Sequence, residues 1–323
     1  MRILVAGAGG VGGYLAARLA AAGEKVFVLA RGAHLAAIRE KGLVLRDGGS
    51  TVTVRLPAAD NVPAFGQAEL VIYAVKGPDL AGAVEITRPA FGEGTLALPF
   101  LNGVEAHEIL ARAFGCKRTL IGVARIFAHI EKPGTVVKAS PFASFTIGNF
   151  DGRQDVPPVR EIMACFRGAG LDVLDCDDVR VDLWRKFVML TATAGTTAAA
   201  RVDVGRVRET PELWALYRRL AEETLAVAQA KGVALGEEAV TQAIAAARAM
   251  PGELRASLAH DLAAGKPLES DWLMGAVARL ARAAGIEAPA NAAVAAILAP
   301  WKKGAGSRRD ESTADSKGSA SEA

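Results

Sequence analysis

The residues in this chain with the clearest chemical potential lie near its start. Six of them fit the pattern G-x-G-x-x-G: Gly7-Ala8-Gly9-Gly10-Val11-Gly12. In such a pattern the first glycine permits a tight turn, the second lets backbone approach a diphosphate, and the third lets a helix pack closely on a strand. The helix start then offers amide donors and a partial positive charge to phosphate oxygens. The spacing predicts a dinucleotide-binding loop, with a ligand-free strand–helix turn as the alternative.

The segments around this loop make the pattern informative. The apolar run RILVA (2–6) precedes it, a helix is predicted over 11–22, and KVFVLAR (25–31) is a predicted second strand. An NAD site places an acidic residue at the end of that strand, where it holds the 2′-hydroxyl of the ribose. Arg31 stands there instead, and its charged fork suits a 2′-phosphate. The sequence therefore predicts NADP(H), with an exposed arginine that holds no ligand as the alternative.

Two further polar residues follow apolar runs. Lys76 ends LVIYAVK (70–76), and Asn102 comes shortly after TLALPF (95–100). In an open parallel sheet the carboxyl ends of the strands share one edge, where ligands bind. The glycine loop, Arg31, Lys76 and Asn102 are therefore expected at one crevice. Taken singly, Lys76 fits a solvated cap and Asn102 fits an Asn-Gly turn equally well.

The elements that must position these residues follow from hydrophobic periodicity. Apolar strands alternating with helices indicate a parallel sheet covered on both faces, and residues 119–148 predict an antiparallel extension. From about residue 178 the pattern is helical, with almost no strand signal. The predicted fold class is α/β: a Rossmann-type dinucleotide-binding domain over 1–178 and an all-helical domain over 179–302. Residues 303–323 are predicted to be a disordered tail, because their only apolar residues are alanines.

Composition excludes several classes of protein. The chain has 323 residues, 51% of them hydrophobic, and 38 Lys+Arg against 35 Asp+Glu leave a net charge of +3. It is therefore neither disordered throughout nor basic enough to suggest nucleic-acid binding. No apolar run reaches the ~18–20 residues of a membrane span, and no membrane partner is expected. The three cysteines form no C-x-x-C pair and the histidines lack metal-ligand spacing, so we expect no metal and a cytoplasmic location.

Five segments in order resemble the ketopantoate reductase (2-dehydropantoate 2-reductase) family, over residues 1 to about 300. They are the glycine-rich start, AVK ending at 76, NGVE from 102, WRKF at 184–187, and SLAHDLAAGKPLESDWLMGAV at 257–277. The resemblance implies an NADPH-dependent reductase with a Rossmann domain, a helical domain and a substrate between them. It also implies the reaction, which is reduction of a branched 2-oxo acid, ketopantoate, to pantoate in pantothenate synthesis.

The resemblance implies a role for three residues of the helical half. Lys186 matches the catalytic lysine of the family, Glu269 its acidic partner, and Ser257 a serine that helps to hold the substrate. In an apolar helical stretch, Lys186 could donate a proton to a carbonyl oxygen, although a snorkelling lysine is the alternative. Glu269 is predicted in the first turn of a helix, where a carboxylate is favoured with or without a function.

The resemblance also places three other residues. Lys76 matches a lysine near the cofactor, and Asn102 matches an asparagine beside the nicotinamide that also helps to position the substrate. Asp261 occupies a position that the family usually fills with aspartate, and we expect a structural role for it. Ser257 and Asp261, four residues apart, can share one helix face.

This sequence departs from the family pattern around the substrate. Typical members carry asparagine four and eight residues after the lysine and three before the serine, and here those positions are Leu190, Ala194 and Leu254. A site lined by hydrogen-bonding groups strongly prefers a substrate with a hydroxyl over one without it, and an apolar lining loses that preference. Nearby hydroxyls could compensate in part: Thr193, Thr196 and Thr197.

The leading functional hypothesis is therefore an NADPH-dependent 2-oxo acid reductase whose partner is a small-molecule 2-oxo acid. Two alternatives stay open: a paralogous reductase for a more apolar 2-oxo acid, and a non-catalytic NADPH-binding sensor. The oligomeric state is also open, because Trp214, Leu216 and Tyr217 fit a homodimer face or a core equally well.

Overall fold

The computed structural model describes residues 1–62 and 66–305, which form two compact units that divide between Leu183 and Trp184. The predicted boundary at 178/179 lies at the start of a long helix, Val179–Ala200, and the division lies inside the same helix. Of the predicted tail, residues 306–323 lie outside the described residues. Backbone bonds from Leu268 to Lys302 and from Ala305 to Gly265 attach the end of the described chain to the second unit.

The first unit contains ten strands and five helices among its described residues. In chain order they are β1 Arg2–Ala6, α1 Gly10–Ala21, β2 Lys25–Leu29, α2 Gly32–Lys41, β3 Leu43–Asp47, β4 Ser50–Val54, β5 Ala58–Ala59, β6 Ala68–Tyr73, α3 Leu80–Thr87, β7 Phe91–Pro99, α4 Ala106–Phe114, β8 Leu120–Lys132, β9 Thr135–Asn149, α5 Pro157–Gly168 and β10 Asp172–Val173.

A parallel five-stranded sheet forms the centre of this unit, in the order β5-β2-β1-β6-β7. The central strands β1 and β6 are almost wholly buried, which explains their nearly continuous apolar sequences. The structure thus confirms the predicted Rossmann-type arrangement of strands and helices.

A second sheet is built on the β8–β9 hairpin. The two strands pair antiparallel across the turn at Pro133-Gly134, which confirms the predicted antiparallel extension. In addition, β9 pairs in parallel with β3 and β10, and β3 pairs antiparallel with β4. The β3–β4 hairpin was absent from the sequence prediction. Four of the five residues of β4 are exposed, so the strand lacks the alternation of apolar and polar residues that identifies a half-buried strand.

One aromatic ring links the layers of the first unit. Phe145 of β9 is fully buried, and its ring centroid lies 5.4 Å from that of Phe100, 6.2 Å from Tyr14 of α1 and 6.4 Å from Phe166 of α5. Such offset and edge-to-face contacts add to the free energy of burial. The second sheet is therefore packed onto the element that begins at the glycine loop.

The long helix that crosses the division, α6 (Val179–Ala200), is attached at its start to the second sheet. Asp182 accepts hydrogen bonds from both terminal nitrogens of Arg125 on β8 and from the hydroxyl of Thr146 on β9. A bidentate arginine–carboxylate pair fixes orientation as well as distance. The pairing sets the starting point of the helix that carries Lys186.

The second unit is helical throughout its described residues, as predicted. Besides most of α6 it contains α7 Val204–Glu209, α8 Pro211–Ala230, α9 Glu238–Ala249, α10 Ser257–Ala263, α11 Met274–Ala283 and α12 Pro289–Leu298. Tyr217 of α8 belongs to the core of this unit, where its hydroxyl donates to the carbonyl oxygen of Ala243 at 3.1 Å. Its ring stacks on Trp214 with centroids 5.2 Å apart.

A buried carboxylate holds two helices of this unit together. Glu223 of α8 is only 4% exposed and accepts hydrogen bonds from the backbone amides of Ala290 and Asn291, at 3.0 and 2.9 Å. The Asn291 side-chain amide and the Arg219 guanidinium donate to the same carboxylate. Because these backbone amides open α12, Glu223 satisfies a helix start that has no side-chain cap of its own.

We predict that Glu223→Ala lowers the free energy of unfolding by about 2–4 kcal/mol, because it leaves buried amides without an acceptor. Urea denaturation measures the change. The matched control is Glu222→Ala, which removes the neighbouring, more exposed carboxylate that lies 4.0 Å from Arg219. That control should change stability by less than about 1 kcal/mol. Equal losses in the two variants would contradict the capping role.

Candidate functional site

The loops that follow four neighbouring strands leave the parallel sheet side by side. The backbone amides of Gly7 and Ala8 donate to the carbonyl oxygen of Leu29, at 3.2 and 3.0 Å. The amide of Ala74 donates to the carbonyl oxygen of Ala6, and that of Phe100 to the carbonyl oxygen of Tyr73, at 2.9 and 2.7 Å. The carboxyl ends of β1, β2, β6 and β7 are therefore aligned at one edge, where open parallel sheets bind ligands.

The structure places four predicted site residues just beyond these strand ends. Gly7 follows β1, and Arg31 is exposed two residues after β2. Lys76 is exposed after β6 and precedes a short 3-10 turn, and Asn102 is half-buried between β7 and α4. The sheet thus brings to one edge the residues that the sequence assigned to a single crevice.

The glycine loop has the shape of a phosphate cradle. Gly7 has φ +100°, and a Cβ there would lie 2.8 Å from the carbonyl oxygen of Ala74. A Cβ at Gly12 would collide with the carbonyl oxygen of Gly7, so the helix and strand approach as closely as predicted. A Cβ at Gly9 would meet no protein atom within 4 Å, which leaves room for a ligand against the backbone.

The start of α1 offers donors to an anion. Gly9, its N-cap residue, makes no side-chain capping bond, and the first turn contains no acidic residue. The amides in this turn have no partner within the helix and carry the positive end of its dipole. These features fit a diphosphate.

The end of β2 lacks the group that would hold a ribose diol. The segment Leu29-Ala30-Arg31-Gly32 contains no carboxylate, and Arg31 is an exposed N-cap residue that makes no capping bond. The first turn of α2 also contains no acidic residue. A guanidinium and an uncapped helix start therefore lie together here, and both favour a phosphate over a hydroxyl pair.

Sequence reasoning missed His34, which connects this edge to the second sheet. Its Nε2 lies 2.8 Å from the carbonyl oxygen of Ala8, and its Nδ1 accepts the backbone amide of Gly134 at 3.0 Å. Because a backbone amide can only donate, Nδ1 is unprotonated and the ring proton sits on Nε2, which donates to Ala8. The neutral imidazole joins the glycine loop, the helix after Arg31, and the turn of the β8–β9 hairpin.

Burial lowers the pKa of His34 from its usual value of 6.5, and this effect is larger than that of its hydrogen bond to Ala8, which raises the pKa. The neutral form, which the hydrogen bond from Gly134 to Nδ1 requires, is therefore favoured in the folded chain. The sequence held one signal for this role: a histidine in the first turn of a helix that starts at the binding edge. Its partner at Gly134 is 100 residues away and visible only in the fold.

In the second unit, Lys186 lies near the start of a mostly buried part of α6. Lys186 itself is half-buried, next to the buried Phe187 and Val188. Leu190 is half-buried and Ala194 is 1% exposed, one and two turns further along the helix. At four-residue spacing these positions follow one side of the helix, about 6 Å apart along its axis. The residues that replace the usual asparagines thus continue from the lysine along α6.

The threonine hydroxyls near Ala194 donate to their own helix. Thr193, Thr196 and Thr197 are buried and donate to the carbonyl oxygens four residues earlier, at 2.9, 2.7 and 2.7 Å. This is the usual backbone bond of a threonine inside a helix. Their hydroxyl protons are therefore committed and cannot replace the donors that Leu190 and Ala194 lack.

The other predicted residues of this unit lie on separate elements. Glu269 is 6% exposed and precedes a 3-10 turn, Ser270–Trp272. The prediction of a helix at Glu269 was wrong in this detail, because α11 begins only at Met274. Ser257 is the half-buried first residue of α10. Leu254 is half-buried in the turn before that helix, and Asp261 is half-buried within it.

Other chemistries find little support in the described residues. Burial raises the pKa of the Cys165 thiol to about 12 and that of Cys176 to about 11, so both are poor sources of thiolate at neutral pH. Among residues 1–62 and 66–305, no group of three or more His, Cys, Asp and Glu side chains is arranged to hold a metal ion. No helix in these ranges combines the length and apolar character of a membrane span.

Both parts of the chain match models of one protein family. The family model "Ketopantoate reductase PanE/ApbA" matches residues 3–152, and "Ketopantoate reductase PanE/ApbA C terminal" matches residues 178–302. A 2-dehydropantoate 2-reductase of Halobacterium salinarum is 31% identical over 295 residues, which cover 90% of this chain and 95% of the relative.

Solved structures show the same likeness. A PanE/ApbA family ketopantoate reductase from Ralstonia eutropha is 31% identical, with a TM-score of 0.84 over 94% of this chain and 98% of its own. A D-mandelate dehydrogenase solved with NADH and anilino(oxo)acetate shares the fold, with a TM-score of 0.86, 21% identity, and coverage of 94% and 98%. With both halves matched by family models and a relative above 30% identity, the chain is an oxidoreductase that belongs to the ketopantoate reductase family.

Proposed function

We propose that this chain reduces a 2-oxo acid to the 2-hydroxy acid with NADPH, in a reaction of the 2-dehydropantoate 2-reductase type. The observation that carries the proposal is the strand edge that holds an uncapped glycine loop beside Arg31, with no carboxylate at the end of β2. NADPH would be held by Gly7, Gly9 and Gly12 at its diphosphate and by Arg31 at its 2′-phosphate. When bound, it supplies the hydride.

Lys186 is the proposed proton donor. Its ammonium would donate a hydrogen bond to the C2 carbonyl oxygen, which withdraws electron density from the carbon that receives hydride. The oxygen then takes the proton, so the carbonyl becomes a hydroxyl and the amine regains a proton from solvent. Half-burial in α6 limits the positions of the lysine and makes this geometry reproducible.

Three other residues have positioning roles in this proposal. Glu269, nearly buried, would orient Lys186 or a substrate hydroxyl through its carboxylate. Ser257 and Asn102, both half-buried, would hold the substrate carboxylate and the reacting end of the molecule. Lys76, at the exposed end of the loop after β6, would contact the cofactor.

The apolar residues at three positions that the family usually fills with asparagine favour a second candidate substrate class. Leu190, Ala194 and Leu254 offer no donor, and the threonine hydroxyls beside Ala194 donate to the helix backbone. Ketopantoate carries a hydroxyl that such a lining would leave without a partner, at a cost in discrimination. A 2-oxo acid with an apolar branched or aromatic side chain fits these residues better. The D-mandelate dehydrogenase of the same fold is a further reason to include aromatic acids in the test.

The decisive test is a steady-state survey of ketopantoate, 3-methyl-2-oxobutanoate and phenylpyruvate, each with NADPH and with NADH. We expect turnover with NADPH, and kcat/KM for the two apolar acids at or above that for ketopantoate. Oxidation of NADPH with none of these acids would contradict the proposal and favour a binding protein without turnover. A kcat/KM for ketopantoate more than about a hundredfold above that for the apolar acids would identify ketopantoate as the preferred substrate.

Replacing Lys186 tests the chemical step. We expect Lys186→Met to lower kcat by about 10²–10⁴-fold, because the carbonyl oxygen loses its proton donor. NADPH affinity, measured by fluorescence titration, should change less than twofold. The control is Lys231→Met, which removes the charge of an exposed lysine at the end of α8 and should leave kcat unchanged. A fully active Lys186→Met enzyme would assign the proton to another group.

Replacing Arg31 tests the choice of cofactor. We expect Arg31→Ala to raise KM for NADPH by at least about tenfold, because charge-assisted hydrogen bonds to a phosphate are lost. KM for NADH should change little, since that molecule has no 2′-phosphate. Arg112→Ala, which removes an exposed arginine from the last turn of α4, is the matched control. An equal rise in KM for NADPH and for NADH would show that Arg31 does not contact the 2′-phosphate.

His34 predicts a pH dependence of cofactor binding. Its lowered pKa keeps the imidazole neutral above and somewhat below pH 6.5. As the pH falls through that lowered pKa, Nδ1 gains a proton and loses its hydrogen bond from Gly134, whereas Nε2 can still donate to Ala8. The affinity for NADPH should therefore be full above pH 6.5 and should decline on acidification. Isothermal titration from pH 5 to 8 measures the decline.

The matched variant for this test is His34→Gln, which can still donate to Ala8 but does not titrate. The cofactor 2′-phosphate also loses charge near pH 6, and it affects both proteins alike. We expect the variant to bind more weakly than wild type at pH 8 and to show the shallower decline with pH. Parallel pH profiles would show that protonation of His34 does not influence the glycine loop.

A further inference from the structure

The second unit contains a cavity of about 230 Å³ with an unusual lining. Two arginines, Arg201 and Arg255, and the indole of Trp301 line it together with small and branched apolar side chains such as Ala198 and Leu262. None of the lining residues is acidic. An apolar cavity with two guanidinium groups has the composition of a site for an anion that carries an apolar body.

The backbone at Arg201 has a conformation that favours glycine, so the arginine side chain is kept there at a cost in strain. Arg201 follows the last residue of α6 with φ +58°, and it is the one non-glycine residue with positive φ among residues 1–62 and 66–305. The amide of Val202 donates to the carbonyl oxygen of Thr197 at 3.2 Å, which closes the helix in the manner that usually employs glycine. A side chain at this position strains the backbone, so the fold alone would favour glycine.

The guanidinium of Arg201 is held in place. Its Cζ lies 4.9 Å from the centre of the Trp301 ring, in a cation–π contact. Trp301 ends a 3-10 turn, Ala299–Trp301, at the border of the same cavity. A preorganised guanidinium loses less entropy on binding than a mobile one does.

The charge of the cavity is uncompensated within the described chain. Neither Arg201 nor Arg255 forms an ion pair with a described acidic residue, and both border the same apolar space. Both arginines are exposed residues that line the same space, so a bound anion would be attracted by both charges. A carboxylate matches the planar fork of arginine and could bridge the pair.

We propose that this cavity binds a small carboxylate with an apolar or aromatic body, its acid group on Arg201 and Arg255 and its body against Trp301. A volume of 230 Å³ equals that of about eight water molecules, enough for such an acid but not for a nucleotide.

The cavity lies beside residues assigned to the substrate but far from the proposed proton donor. Arg255 stands between Leu254 and Ser257 in the chain, and Ala198 is one helical turn after Ala194. Ala198, which lines the cavity, lies twelve residues after Lys186 on α6, about 18 Å along the helix. A small 2-oxo acid cannot contact both Lys186 and Ala198. The proposal therefore does not depend on the reductase activity, and it is tested by binding alone.

The test is isothermal titration of the full-length chain with sodium benzoate, in the absence of any nicotinamide. We expect a dissociation constant of ~1 mM, weakened at least fivefold in Arg201→Gly, Arg255→Gln and Trp301→Leu. Arg201→Gly is the most informative variant, because glycine suits the backbone there. Its melting temperature should equal or exceed that of wild type, which separates a lost ligand contact from a damaged fold.

Two control variants and a second anion complete the experiment. Arg282→Gln removes an exposed arginine of α11, and Lys186→Met removes the proposed proton donor; neither should change benzoate affinity more than twofold. Three results would overturn the proposal: no benzoate binding, loss of binding in Lys186→Met, or equal weakening in Arg282→Gln. Inorganic phosphate that binds as tightly as benzoate, with the same sensitivity to the variants, would also overturn the assignment to an apolar carboxylate.

Discussion

The first unit depends on a close backbone approach between the start of α1 and the strands beneath it. Gly7 turns the chain with a positive φ, and Gly12 lets the helix lie against that turn. A Cβ at Gly10 would collide with the carbonyl oxygen of Ala128 on β8, so the second sheet also reaches the helix start. Three layers therefore meet where side chains are absent, and the space beside Gly9 is what remains for a ligand. The lack of side chains at a few glycines thus allows the close packing of the three layers and also leaves the space for a ligand.

Local patterns in the sequence were sufficient to predict most of this architecture. The strands β1, β2, β6 and β7 are compact apolar runs, and the β8–β9 hairpin turns at Pro133-Gly134, so each is identified within a short window. Parallel topology then brings Gly7, Arg31, Lys76 and Asn102 to one edge by geometry alone. The chemistry predicted for that edge needs no contact that is remote in sequence.

The features missed by prediction depend on distant partners or on solvent exposure. The strand β4 is mostly exposed and became a strand through pairing with β3, whose other neighbour is β9. His34 gained a role only through Gly134, and Glu223 only through the start of α12. Glu269 precedes a 3-10 turn where a helix was expected, since α11 begins five residues later. For His34 and Glu223 the residue type was visible in the sequence, but the group that it satisfies was not.

The position of His34 has a consequence for how the cofactor preference of this family member could change. Only Gly32 and Ala33 separate Arg31 from a ring that is bonded to both the glycine loop and the hairpin turn. The segment proposed to contact the 2′ position is therefore short and held at both ends, by β2 on one side and by the histidine on the other. A substitution at residue 31 leaves this segment in place, but insertions or deletions there would displace the glycine loop, the proposed diphosphate site. The preference between cofactors at this edge can therefore change by substitution of single residues, but not by exchange of the whole loop.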